Sequence, residues 1–200
     1  MCRRYADMDS RDDQSRTLAS LPHSVAPRQL VSPVDERDHV QGSLHAPTTL
    51  VMYSDFECLH CRRVYASLKR ILADLPAILQ LVVRHFPLVY DHPHAGIAAR
   101  AAEAAGRQGR FWEMHDMLFE NQSALHAPAL RGYAGAIGLD LDKFDRDLAD
   151  KAVTDRVERD IASGRSNGVR GTPDLFVNGR RLEDAWNLTA LRSAIVQAAA

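Results

Sequence analysis

The chain alternates between two hydrophobic periods. Thr48-Thr49-Leu50-Val51-Met52-Tyr53 is a β-branched and apolar run that predicts a buried central strand. After it, Cys61, Val64, Tyr65, Leu68, Ile71, Leu72 and Leu75 recur at the three- and four-residue spacing of one helical face. Pro76 stops that helix. Leu79 to Phe86 reads as a second strand closed by Pro87, so the first half is a strand–helix–strand unit with a parallel pair. The middle of the chain is helical. An alanine-rich stretch covers His94 to Ala105, and a second helix carries Phe111, Met114, His115 and Leu118. Two more are predicted over Pro128 to Ala136 and from Asp142, as its cap, to about Ser163. Leu175-Phe176-Val177 followed by Asn178-Gly179 predicts a hairpin strand, with Arg181-Leu182 opening the return. Asn187 caps a last helix with Leu188, Leu191 and Ile195 inward and Trp186 placed to staple onto Leu191. The pattern is α/β: a mixed sheet carrying a helical insertion at about residues 92–163.

Composition changes this picture mainly at the N-terminus. Residues 1–38 are charged, poor in aromatic residues and broken by Pro22, Pro27 and Pro33, which predicts a disordered tail before a domain over residues 39–200. Arg3 and Arg4 are followed by charged residues rather than an apolar segment, so the expectation is a cytoplasmic protein, or an extracytoplasmic one if the true start lies elsewhere. The remaining composition excludes more than it suggests. The 200 residues are 46% hydrophobic, enough for a core, and 25 basic against 26 acidic residues leave a net charge of -1. Neither a nucleic-acid partner nor a membrane span is expected.

Only three cysteines occur, Cys2, Cys58 and Cys61, too few for a disulfide framework and therefore a pointer to chemistry. Cys58-Leu59-His60-Cys61 sits where a strand ends and a helix begins. The free N–H groups and partial positive charge of a helix start stabilise a thiolate, so Cys58 is expected to be the low-pKa, accessible nucleophile. Cys61, one turn further in and on the apolar stripe, is expected to be buried and to resolve mixed disulfides. The His60 imidazole is expected to tune the pair. A C-x-x-C alone also serves as half a zinc site. His92, His94 and Cys2 are the other ligands on offer, but they form no second close pair, so no metal is expected. Gly171-Thr172-Pro173 precedes a strand, where proline is tolerated, and the general frequency of about 5–6% for cis X–Pro bonds makes trans the physical default.

These residues together resemble a known family. Asp55-Phe56-Glu57-Cys58-Leu59-His60-Cys61, Arg84-His85-Phe86-Pro87-Leu88, Phe111-Trp112-Glu113-Met114-His115-Asp116 and Gly171-Thr172-Pro173 occur in the order found in the DsbA-like, thioredoxin-fold disulfide oxidoreductases. The likeness runs from about Asp38 to Ala194. It implies a thioredoxin-like sheet capped by the helical insertion, a cis Thr172–Pro173 bond beside the cysteines, and pairing of the Thr172 backbone with a substrate strand. It also implies protein or small thiol and disulfide substrates, a redox partner that recycles the pair, and no cofactor. One position departs from the pattern: relatives usually carry a buried acid six residues before the first cysteine, and this chain has Met52. Deprotonation of Cys61 then falls to water, Asp55 or Glu57.

Two other classes compete with this reading. A glutathione-linked transferase or isomerase of related fold usually has serine for the first cysteine and no resolving cysteine. A non-catalytic peptide-binding module has no need of both thiols. The direction of electron flow depends on compartment. A couple near −120 mV against a cytosolic poise of about −250 mV favours the dithiol by roughly four decades, and hence a reductase or isomerase role.

Overall fold

The computed structural model describes residues 29–183 and 187–200. A five-stranded mixed sheet is ordered β1-β3-β2-β4-β5. The central strand β2 (Thr48–Ser54) lies parallel to β3 (Leu79–His85) and antiparallel to β4 (Asp174–Val177). At the edges, β1 (His39–Gly42) pairs antiparallel with β3, and β5 (Arg180–Arg181) with β4. Strand β1 is absent from the sequence reading. It is four residues long, half of them exposed, and carries His39 and Gln41 rather than an apolar run. Asn178 and Gly179 both adopt positive φ, 46° and 78°, as the predicted two-residue turn requires.

Helix α1 (Leu59–Asp74) buries Cys61, Val64, Tyr65, Leu68 and Ile71 against the sheet, the face its spacing predicts. The insertion forms five helices, α2 (Ala95–Gly106), α3 (Phe111–Glu120), α4 (Ala127–Ala136), α5 (Leu141–Ala149) and α6 (Lys151–Ser166). The single helix expected from Asp142 to about Ser163 is therefore two. Asp150 is extended (φ -70, ψ 132), and its carboxylate accepts the Ala152 N–H at 2.9 Å, capping α6 as α5 ends. The cap of α5 is Asp140, not Asp142. The apolar period continues across the break, which hides it from a pattern reading. The closing helix α7 (Leu188–Ala198) is capped by Asn187 as expected. The Trp186 staple lies outside the described residues.

The tail boundary at residue 38 is also corrected. Residues 29–38 lie on the domain: Gln29 bridges Arg180, the Leu30 N–H reaches the Gly179 carbonyl at 2.6 Å, and Leu30 and Val34 pack against the buried group that contains Val51, Tyr53 and Phe176. Buried Arg84 ties this segment down. Its guanidinium grips Asp38 at 2.8 and 2.9 Å and donates to the Ser32 and Pro33 carbonyls. Charged residues can thus be ordered when a buried partner satisfies them. Residues 1–28, including Cys2, Arg3 and Arg4, lie outside the described residues.

Two apolar layers flank the sheet. The larger joins α1, α7 and the inserted helices; the smaller packs Val51, Tyr53, Val82, Phe86, Val169 and Phe176 beneath α6. Close approach of α6 requires Gly164: a Cβ there would stand 2.5 Å from the Phe86 ring and 3.2 Å from that of Tyr53. Among the described residues, no helix is long and apolar enough to cross a membrane.

Candidate active site

Both cysteines of the motif sit at the mouth of α1. Cys58 is the N-cap residue, extended at φ -77, ψ 120, and its side chain does not cap the helix. Its sulfur turns instead to the Thr172 carbonyl at 3.3 Å. Cys58 is 5% exposed and Cys61 0%, so the contrast in accessibility is narrower than expected; only a sliver of the Cys58 residue meets solvent. The electrostatic contrast is large. A hydrogen bond from the Cys61 thiol, followed by backbone and Thr172 hydrogen bonds that outweigh burial, lowers the Cys58 pKa to about 5. Burial, and then the hydrogen bond to Cys58 and its charge, push the Cys61 thiol well above its usual value. The pair therefore holds one thiolate and one thiol at neutral pH, the thiolate outward.

Thr172 and Pro173 come to the same place from the far end of the chain. The Thr172–Pro173 peptide is cis. The Thr172 hydroxyl is buried with no hydrogen-bond partner of ordinary geometry, and it lies close enough to both sulfurs to lower the pKa of each. The His60 ring is exposed and forms no hydrogen bond among the described residues, and a hydrogen bond from the His60 backbone helps to lower the Cys58 pKa.

Residues to which the sequence assigns no holding role fix the loop before Cys58. The Asp55 N–H points to the Cys61 sulfur at 3.5 Å, and the Asp55 carbonyl accepts the Cys58 N–H at 3.2 Å. Asp55 is one of the groups offered by the sequence to deprotonate Cys61. It is buried, and its carboxylate takes the N–H groups of Glu57 (2.7 Å) and Leu88 (2.8 Å) and the His92 ring at 2.8 Å. Two residues on, Glu57 takes the His94 N–H at 2.7 Å and pairs with its ring at 3.0 Å. His92 and His94, weighed earlier as zinc ligands, thus clamp the redox loop to the β3–α2 loop through two parallel carboxylate–imidazole pairs. Burial lowers the His92 pKa, but the Asp55 carboxylate and the Cys58 charge outweigh it, and the net shift is upward. From the insertion, buried Gln122 donates to the carbonyls of Phe56 (2.7 Å) and Cys58 (2.9 Å). The repeated offset, Asp55/Glu57 against His92/His94, was the one signal in the sequence that could have revealed the clamp. Met52 is buried in the same core cluster as Cys61 and brings no ionisable group.

The comparisons with known proteins agree with this fold. The family model described as Thioredoxin matches residues 34–197. Two bacterial sequences similar to this chain are a "Na(+)/H(+) antiporter NhaA 1" of Salinispora arenicola, 46% identical over 186 residues, and a "Na(+)/H(+) antiporter NhaA" of Herminiimonas arsenicoxydans, 46% identical over 172. They cover 92% and 84% of this chain, yet the chain spans only 28% and 27% of their lengths. Among solved structures, a thioredoxin-like oxidoreductase from Silicibacter pomeroyi is 27% identical with a TM-score of 0.74, covering 82% of this chain and 93% of its own. BdbD from Bacillus subtilis shares the fold at 18% identity and a TM-score of 0.74, covering 88% of this chain and 97% of its own. The thiol-disulfide exchange protein alpha-DsbA2 from Wolbachia pipientis does so at 20% and 0.72, covering 82% and 88%. The chain belongs to the Thioredoxin family, and its structural neighbours are DsbA-like thiol–disulfide oxidoreductases.

Proposed function

We propose that this chain exchanges disulfides with protein or small-molecule thiols, with Cys58 as nucleophile and Cys61 as resolving thiol. The observation that carries the reading is the opposed setting of two thiols one helical turn apart, Cys58 at a helix mouth and lowered, Cys61 buried and raised. The Cys58 thiolate attacks a substrate disulfide, forming a Cys58–substrate bond and releasing one substrate thiolate, which takes a proton from solvent. Cys61 then loses its proton and attacks the Cys58 sulfur. The Cys58–Cys61 disulfide forms, the second substrate thiol leaves, and two electrons have passed to the substrate. The reverse sequence oxidises a dithiol, and the compartment and recycling partner set the direction. Thr172, with its backbone at Cys58, is the residue that receives the substrate strand, next to Pro173. No cofactor is required. A glutathione-linked transferase makes no use of the inner thiol, and a passive peptide-binding module makes no use of either.

The antiporter name of the sequence relatives applies to proteins several times longer. We assign ion transport to the remainder of those proteins and thiol–disulfide exchange to the part that this chain represents.

The test uses the chain with Cys2→Ser, so that an unrelated thiol does not enter the count. Equilibration with glutathione buffers should give a single two-electron transition. Cys61→Ser should trap substrate as a stable mixed disulfide on Cys58, and Cys58→Ser should trap none. Trapping on Cys61 instead would reverse the assignment of roles, and absence of any two-electron couple would end the reading.

A further inference from the structure

A recess of about 500 Å³ opens between the β3–α2 loop and α6. Its volume lies within the range of sites that hold small molecules or short stretches of peptide. Leu88, Val89 and Ile97 form one side, and Val157 and Ile161 the other. Val89 is 52% exposed, and Tyr90, at the lip, is fully exposed. Large apolar side chains left open in this way mark a surface that meets a partner.

Both walls are connected to the redox site. The loop wall is fastened to the redox loop where the Leu88 N–H meets Asp55 and where His92 and His94 meet Asp55 and Glu57. The α6 wall runs through Gly168 and Arg170 to Thr172, whose carbonyl faces Cys58. The trough thus shares its two supporting segments with the redox site.

The charge around the trough narrows the choice of occupant. Arg100 and Arg165 line it, and exposed Arg170 follows α6 in the chain, two residues before Thr172. None of the three forms an ion pair among the described residues. The acids nearest Cys58, Asp55 and Glu57, are already taken by His92 and His94. Glu158 in the lining and Asp91 on the loop are the acids that remain to oppose the three arginines.

We propose that this trough binds the segment of a substrate polypeptide next to its reacting cysteine, and that it selects apolar residues followed by a carboxylate. The inference rests on the thiol–disulfide reading above and names the substrate class for that site.

The experiment uses three mixed disulfides of 5-thio-2-nitrobenzoate. Two are on peptides with one cysteine and two leucines, ending in Asp-Glu or in Lys-Lys. The third is on 2-mercaptoethanol. Attack by the Cys58 thiolate of the reduced chain, carrying Cys2→Ser, breaks the S–S bond and releases the coloured thiolate. The peptide stays on Cys58 until Cys61 displaces it.

The acidic peptide should react about fivefold faster than the basic one, and the difference should shrink in 0.5 M salt. Arg100→Glu/Arg165→Glu should invert the preference, and Val89→Ser should slow both peptides equally, while the 2-mercaptoethanol disulfide keeps its rate in every variant. Equal rates for both peptides in the unaltered trough would overturn the proposal. So would a dimer seen by sedimentation whose formation protects Tyr90, since a second copy would then be the occupant. Failure of the 2-mercaptoethanol disulfide to react would remove the underlying redox reading instead. If the double arginine variant does not fold, Val89→Ser with the two peptides in low and high salt decides the matter alone.

Discussion

Two regions of the molecule use the same chemical pair, carboxylate with imidazole, for different ends. At the redox site, Asp55 and Glu57 hold His92 and His94, whose rings reach solvent. Deeper in the domain, Glu103 on α2 holds two histidines with one oxygen: His39 of β1 and His85 of β3, each at 2.9 Å. Asp160 of α6 joins this second group by accepting the His85 N–H at 3.0 Å, and Arg156 bonds Asp160 and lies 3.8 Å from Glu103. Ligand atoms of His85, Glu103 and Asp160 lie within 4.8 Å of one another, but the Arg156 guanidinium already supplies the positive charge that a cation would bring. The inner group knits β1, β3, α2 and α6 and touches neither sulfur. The outer pairs join two loops at the redox site, and His92 among them feels the charge of Cys58. Position relative to the helix mouth, not the identity of the pair, separates a group that holds the fold from one that sets chemistry.

The largest expected effect belongs to the inner group. Glu103→Ala would leave the His39 and His85 imidazoles without their shared carboxylate in the interior and should cost about 3–5 kcal/mol in urea unfolding. The pH at which Cys58 is half alkylated should not move. A shift of that midpoint in folded protein would break the comparison. Burial raises the Glu103 pKa, but hydrogen bonds and charge from His39 and His85 outweigh it, and the net shift is strongly downward. A depressed carboxylate stabilises the fold above its unfolded value of about 4.3 and loses that contribution as pH falls. Acid unfolding should therefore start below about pH 5 in the parent chain, and Glu103→Ala should flatten that limb.

Gly164→Ala comes next. A Cβ 2.5 Å from the Phe86 ring must push α6 outward, and the expected loss is about 1–3 kcal/mol. Chemical unfolding would measure it, and a neutral result would mean that α6 is free to slide.

Cys58 itself gives a pH prediction. With a pKa of about 5, its iodoacetamide reaction should reach half its maximum rate near that pH, while Cys61 stays unreacted across the neutral range. His92→Gln keeps a donor to Asp55 but removes the charge. It should move the Cys58 midpoint up by about half a unit at a stability cost under about 1 kcal/mol. Because the His92 pKa is raised, the stabilisation from its pair with Asp55 is complete below about pH 6.5 and fades as pH climbs through the folded value. His60→Ser should shift the midpoint least, about 0.2 unit or less, because that ring is solvated and only the backbone of His60 acts on the sulfur. A His60 effect larger than that of His92 would restore the imidazole of the dipeptide as the tuner.

The amino-acid sequence by itself determined what depends on neighbours along the chain. The strand run at Thr48–Tyr53, the stripe from Cys61 to Ile71, the Asn178-Gly179 turn and the Asn187 cap are local patterns, and a local pattern needs only the period of its own backbone. The cysteine pair was legible for the same reason, since both sulfurs and the helix that polarises them lie within four residues. Tertiary structure decided what depends on partners distant in sequence. Residues 29–38 read as a tail because their charge has no partner nearby, and Arg84, some fifty residues on, orders them. The clamp at Asp55 and Glu57 needs His92 and His94 from another loop, and Gln122 reaches the redox loop from the inserted helices. Thr172 meets Cys58 across 114 residues. Such contacts form when the sheet brings β2, β3 and β4 side by side, and hydrophobic burial drives that assembly without regard to the order in which the chain supplies its parts.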